Sequence, residues 1–563
     1  MASIQFPEGK TTGGSTSGSG GIRISPDLSD GEKKAIKNRK AKVISCLKKH
    51  GMHVDLDNVP KIAVVVSGGG LTAAIGCLGS LWELKNQNLL DAVTYLPGCS
   101  GSTWCMAPLY EKGDWTQNLD SIATEMCDKL AGHSFDAKKG LEKLLAAAEQ
   151  DNYSLTHFWA YSIVNYTTKE IIENGISSHQ AVCENGSVPY PIYSAADKQQ
   201  LDNKGRNNAG TWFQFTPHEA GYPLLGAFVS SKLFDSKFSN GKLQKKEPEN
   251  DLCYLEAICS SAPADIEQII KLIIEKIIEI LKHHAPSPDS VTHLLAAVPE
   301  KHAEVFSRFS KLQMNINESA EDSKAVLENL LTSLSVVDNS ASYQLVKLMN
   351  DRWDTNDVEE KENLVFILRL LLLVEFAGLE TSLYTLVTKT VKCLWGWIWG
   401  TSNNFLLKSA SMPSDITDTE LRYYIDGGYA NNLPFPCILR KQQNVQVIIA
   451  FEYSDAFWDI THAADYCKAN NIPFPKIEID PNDKSNPKDC YIFEGENVPT
   501  VILIPLFNRV TSEGKMQQRT SQFNVFHLQY NKEEIDTLIE ISRKNVSNNI
   551  QKIKNAIQKK FAN

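Results

Sequence analysis

The stretch from Lys61 to Met106 constrains the fold more than any other part of this 563-residue chain. "KIAVVV" (Lys61–Val66) is an apolar, β-branched run followed at once by "SGGG" (Ser67–Gly70) and a helical pattern from Leu71. "DAVTYL" (Asp91–Leu96) leads in the same way into "PGCSGSTW" and a second helical pattern from Thr103. Short apolar runs of this kind read as strands buried on both faces. Successive strand–glycine turn–helix units build a parallel or mixed sheet flanked by helices. An α/β fold is therefore expected, with further strands at "RYYID" (Arg422–Asp426), "VQVIIAF" (Val445–Phe451) and "VILIPL" (Val501–Leu506). Ile266, Ile269, Ile270, Ile273, Ile277, Ile278 and Leu281 recur at helical spacing, and helical patterns continue to about Val391. Residues from about 263 to 391 are thus expected to form a helical cap inserted over the sheet. The most apolar stretch, Asn363–Leu379, contains Arg369 and Glu375, which would be costly at a bilayer centre, so it reads as a buried helix. Residues 1–28, with "TTGGSTSGSGG", hold too little apolar surface to fold and are expected to be disordered. Order is expected from Ser29, which stands at capping-box spacing from Glu32 before a basic helix closed by Gly51. Residues 29–563 would then form one domain containing the insertion.

The glycine turns also carry candidate chemistry. Ser100, between Gly98 and Gly101, sits where a strand passes into a helix, a turn that exposes the hydroxyl and the neighbouring N–H groups. The sequence G-C-S-G-S departs from G-x-S-x-G, and an ordinary glycine turn is the competing reading. The Gly68–Gly70 run offers backbone N–H donors at a helix N-terminus, which suits a developing oxyanion or a phosphate. Neither the Walker pattern nor G-x-G-x-x-G is present. Asp426, in "YYIDGGYANNLPFP", ends a strand before two glycines. It could take the serine proton directly if burial raises its pKa, or it could merely begin a turn. A triad through His157, His218, His462 or His527 is the rival arrangement. The formal net charge of −10 argues against a nucleic-acid partner, and twelve scattered cysteines fit reduced thiols in a cytoplasmic protein.

"SGGG", "GCSGSTW" and "DGGYANNLPFPCILR", in this order, resemble the cytosolic phospholipase A2 family, in particular its gamma branch. "NYSLTHFWAY", "TWFQFTPHEAG", "GAFVSSKLFDSKF" and "WGTSNNFL" are similar to it as well. The resemblance implies a patatin-like catalytic domain with a Ser–Asp dyad and no histidine. By position, Ser100 would be the nucleophile, Asp426 the base, and Gly69 and Gly70 the oxyanion hole. The implied reaction is cleavage of acyl esters of glycerophospholipids and lysophospholipids at membrane surfaces or micelles, without a cofactor. A transacylase, a neutral-lipid esterase and a catalytically weak lipid-binding protein are the alternatives. The family's arginine after the glycine run is Thr72 here. Its further basic position falls on Gln443, while Arg440 is kept, so Thr72 and Arg440 are the candidates for holding the substrate. The core motifs begin by residue 61, which leads us to expect no calcium-binding C2 domain and no metal, hence calcium-independent activity. "DPNDKSNPKD" also lacks the glycine and glutamate of an EF-hand loop. Peripheral membrane association is expected. Trp395, Trp397 and Trp399 could serve it, or could pack a strand on the core.

Overall fold

The computed structural model describes residues 21–261, 266–284, 302–316, 320–337, 340–377, 381–455 and 459–561. The strands are β1 (Ile22–Ile24), β2 (Ile62–Val66), β3 (Val93–Gly98), β4 (Tyr190–Asp197), β5 (Trp212–Phe215), β6 (Glu219–Tyr222) and β7 (Ala227–Ser230). They continue as β8 (Lys237–Ser239), β9 (Lys242–Lys245), β10 (Thr401–Asn403), β11 (Leu421–Asp426), β12 (Val447–Glu452), β13 (Tyr491–Phe493) and β14 (Thr500–Pro505). All but the β8–β9 hairpin join one mixed sheet in the order β1-β7-β6-β5-β4-β3-β2-β12-β14-β13, to which β10 and β11 attach through β4. β4, β3, β2, β12 and β14 pair in parallel, as the strand–turn–helix reading requires. β4 to β7 form an antiparallel extension, with β1 paired to β7 at its end. Order therefore begins before Ser29, because Ile22–Ile24 find a partner strand; residues 1–20 lie outside the described residues.

The register on β4 positions the site. On its outer side β4 pairs with β5. On its other side β3 runs parallel to β4 and ends with Gly98 opposite Tyr193. β11 enters antiparallel and ends with Asp426 opposite Ala195. Two strands thus meet head to head along one edge, their C-terminal ends two β4 residues apart, about 7 Å at ordinary strand rise. The Arg422 guanidinium fixes β11 there, donating to both oxygens of buried Asp197 at 2.6 to 2.9 Å. Tyr222 adds a donor to the same carboxylate at 2.6 Å.

Helices complete the frame. α1 (Asp30–Lys49) is capped by Ser29, whose hydroxyl accepts from Glu32 N at 3.1 Å, while the Glu32 carboxylate turns inward to accept from Tyr95 at 2.9 Å. α2 (Gly70–Asn86) follows β2 and is almost wholly buried, and α3 (Thr103–Glu111) follows β3. The C-terminal helix Lys532–Phe561 packs along α2 so closely that a Cβ on Gly79 would lie 2.8 Å from Ser542 Cβ. Between β9 and β10 lie the helices Leu252–Cys259, Ile266–His284, Ala303–Met314, Ala320–Leu334, Ala341–Arg352, Val358–Ala377 and Ser382–Gly396. Trp395 and Trp397 fall at the end of the last of these, where Trp397 takes a left-handed conformation (φ 49°), and not on a strand; Trp399 is fully buried. Among the described residues, no helix is long and apolar enough to cross a membrane. All twelve cysteines are free thiols.

Candidate active site

Cys99 is still extended (φ −124°, ψ 143°), but Ser100 turns to φ 48°, a left-handed conformation that costs a non-glycine residue on the order of 1–3 kcal/mol. The surroundings over-determine that turn. Cys99 N donates to Val66 O, Ser102 N to Cys99 O, and Thr103 Oγ1 to Ser100 O, at 3.2, 3.1 and 2.6 Å. Ser102 Oγ ties the turn to the neighbouring loop by donating to Ser67 O at 2.5 Å. Gly101 must be glycine, since a Cβ there would lie 1.9 Å from Gly70 O. The two glycine loops are thus pressed against each other, which brings Ser100 beside the N-terminus of α2.

That N-terminus is shaped by Gly69 (φ 142°) and Gly70 (φ 59°), both in backbone territory closed to most side chains. The loop is pinned from beneath. Gly68 N donates to Asn432 Oδ1 at 3.1 Å, and Asn432 Nδ2 donates to Gly68 O at 3.2 Å and to Glu452 Oε1 at 3.0 Å. Ser67 Oγ, Ser454 N and Ser454 Oγ also donate to Glu452 Oε1. Glu452 is fully buried, and burial pushes its carboxyl up to about 8.

Asp426 is buried at the end of β11. Its Oδ1 accepts from Gly428 N at 2.7 Å and from Cys99 Sγ at 3.5 Å, and the neighbouring Ser100 hydroxyl also favours the ionised carboxylate. Burial outweighs these donors and raises the carboxyl to about 6. A carboxylate raised to that range beside a serine hydroxyl can accept and return a proton near neutral pH.

Ser100, Asp426, Gly69 and Gly70 share one cavity of about 290 Å³. Its apolar wall includes Trp104, Leu272, Val525 and Phe526. Trp104 and Trp159 both direct their indole N–H to Ser260 Oγ, at 3.2 and 3.3 Å, which satisfies the polar groups of that wall. Among the described residues, no histidine lines the cavity. His157 is buried, closes the cap of its own helix at Ser154 N and is stacked between Tyr153 and Tyr254. His218 bonds Tyr190 and Glu184, His462 bonds Arg206 and lies by Asp459, and His527 bonds Gln522 O.

Two expected substrate-holding residues are placed elsewhere. Thr72 is buried and its hydroxyl bonds Phe523 O and the Tyr530 hydroxyl, because its position on the first turn of α2 faces the 523–530 segment. Arg440 is buried over the Phe228 ring with Glu32 at 3.9 Å, and Gln443 is used within its own turn, on Cys437 O and Arg440 N. Neither Thr72 nor Arg440 lines the cavity. Sequence reasoning missed Cys99, Asn432 and Glu452. Asn432 lay inside a quoted motif, whereas nothing in "IIAFEYS" marks Glu452 as more than a strand end.

The family model of the lysophospholipase catalytic domain matches residues 62–349. Cytosolic phospholipase A2 gamma of Mus musculus is 34% identical over 554 residues, covering 94% of this chain and 91% of its own. The chain belongs to the cytosolic phospholipase A2 family. Its Homo sapiens gamma relative is also 34% identical, over 95% of this chain and 96% of its own length. Among solved structures, human GIVD cytosolic phospholipase A2 superposes with a TM-score of 0.64 at 22% identity, over 96% of this chain and 68% of that one, so the fold is shared. This member is accordingly an enzyme of the phospholipase A2 and lysophospholipase type.

Proposed function

We propose that the protein hydrolyses fatty-acyl esters of glycerophospholipids and lysophospholipids through a Ser100–Asp426 dyad. Ser100 Oγ attacks the ester carbonyl while its proton passes to Asp426. Charge gathers on the carbonyl oxygen, which faces the N–H groups of Gly69 and Gly70 at the positive end of α2. The proton on Asp426 then goes to the departing alcohol, and water repeats both steps on the acyl-serine. The observation that carries this reading is that Ser100 and Asp426, its carboxyl raised to about 6, share one apolar-walled cavity with Gly69 and Gly70. No step needs a cofactor or calcium. On this reading the enzyme works in the cytoplasm and docks on membranes or micelles only peripherally.

A second reading, neutral-lipid esterase or transacylase on the same machinery, has one observation in its favour. Among the described residues the cavity is lined by the carboxyls of Asp426 and Asp459 and by no lysine or arginine. Incubation with phosphatidylcholine, lysophosphatidylcholine and diacylglycerol, followed by product analysis, decides between them. Fatty acid released from both phospholipids by wild type and not by Ser100→Ala is the expected result. Release from diacylglycerol alone, or acyl transfer without free acid, would favour the second reading, and equal release by Ser100→Ala would remove the dyad.

A further inference from the structure

Cys99 is the last extended residue before the Ser100 turn and is fully buried, with its sulfur 3.5 Å from Asp426 Oδ1. Gly427 lies alongside it: a Cβ on that glycine would be in ordinary van der Waals contact with the sulfur, at 3.5 Å. We propose that Cys99 is a positioning residue for this hydrolase, its S–H donating to Asp426 Oδ1 so that the carboxylate is held ready to receive the Ser100 proton. The proposal rests on the dyad reading above.

The direction of the hydrogen bond is fixed by chemistry. Burial first, and the Asp426 charge second, push the Cys99 thiol far above its ordinary range, so it stays protonated and acts as a donor. The other polar or titratable groups facing the pair are Ser194 on β4, Cys259 on the helix Leu252–Cys259, and Tyr429 and Gly428 N on the turn after β11. None of these is charged at neutral pH. With Gly428 N, Cys99 places two donors on one carboxylate oxygen, which restrains rotation of the group. Both donors also favour the ionised form, opposing burial. A thiol is a weak donor, so its loss should raise the base by about half a pH unit. The acid limb of the rate profile then moves to higher pH by the same amount, and turnover below the limb falls about threefold.

The test is the pH dependence of kcat on micellar lysophosphatidylcholine for wild type, Cys99→Val, Cys99→Ala and Cys99→Ser, with Asp426→Asn alongside. Valine fills the site without a donor, alanine guards against misfolding by valine, and serine keeps a donor. The expected result is an upward shift of the acid limb in the valine and alanine variants, at least partly reversed in the serine variant. Superimposable profiles in all variants, or the same shift in all three, would overturn the proposal while a dead Asp426→Asn leaves the dyad standing. Wild-type turnover by Asp426→Asn would overturn the dyad and the proposal with it.

Discussion

Glu452 shows how one buried side chain can carry both architecture and pH dependence. Four donors converge on its Oε1, and its Oε2 has no hydrogen-bond partner among the described residues. The folded carboxyl keeps its proton up to about pH 8, whereas the unfolded one releases it near 4.5. The stability it contributes is therefore complete below about pH 4.5 and is lost as pH rises through about 8. Glu452→Gln keeps the carbonyl acceptor and has no proton to lose. Its melting temperature should fall less than that of wild type between about pH 5 and about pH 8. Equal falls in thermal melts of the two proteins would show that Glu452 does not titrate across that range. The placement of Ser100 and Asp426 at one cavity was legible because glycine-framed strand ends announce themselves. Thr72 and Arg440 were not, because a sequence position does not say which way a side chain on a helix or turn will face, and both face inward.

At the scale of elements, the meeting of β3 and β11 on β4 makes the site, and the Arg422–Asp197 pair holds that register. Arg422→Met would leave Asp197 buried without its cation, a loss of about 3–5 kcal/mol. Urea unfolding should show that loss, and turnover at a temperature where the variant is folded should drop as β11 loosens. Asp197→Asn combined with Arg422→Met should recover part of the stability, since no charge is then stranded. An unchanged unfolding midpoint in the single variant would mean that the strands hold their register without the pair. The strands β2, β3, β11, β12 and β14 were legible as apolar runs. β4 was not read as a strand because Pro191, Ser194 and Asp197 interrupt its pattern, and the polar two are satisfied by partners distant in sequence, Gly98 O for Ser194 and Arg422 and Tyr222 for Asp197, which also caps the next helix at Gln200 N. β1 is three residues long and exists only because β7 offers an edge.

At the scale of the whole molecule, the order of motifs along the chain revealed the family, while the cavity required the fold. Leu272 from the helical region, Val525 and Phe526 from near the C-terminus, and the two glycine loops converge from across the sequence. Among the described residues, no group of three or more His, Cys, Asp or Glu could hold a metal ion. The proposed mechanism uses no calcium, so its chelation should leave activity on micellar lysophosphatidylcholine nearly unchanged, and a loss restored by added calcium would contradict this. A fluorophosphonate bearing an acyl-like chain engages every part of the proposed machinery, because labelling needs the apolar wall, the oxyanion donors, the base and the nucleophile together. Intact-mass and peptide analysis should find one adduct on Ser100 in wild type, none in Ser100→Ala and strongly slowed labelling in Asp426→Asn. An adduct on another residue, or equal labelling of wild type and Ser100→Ala, would contradict the assignment of Ser100 as the nucleophile.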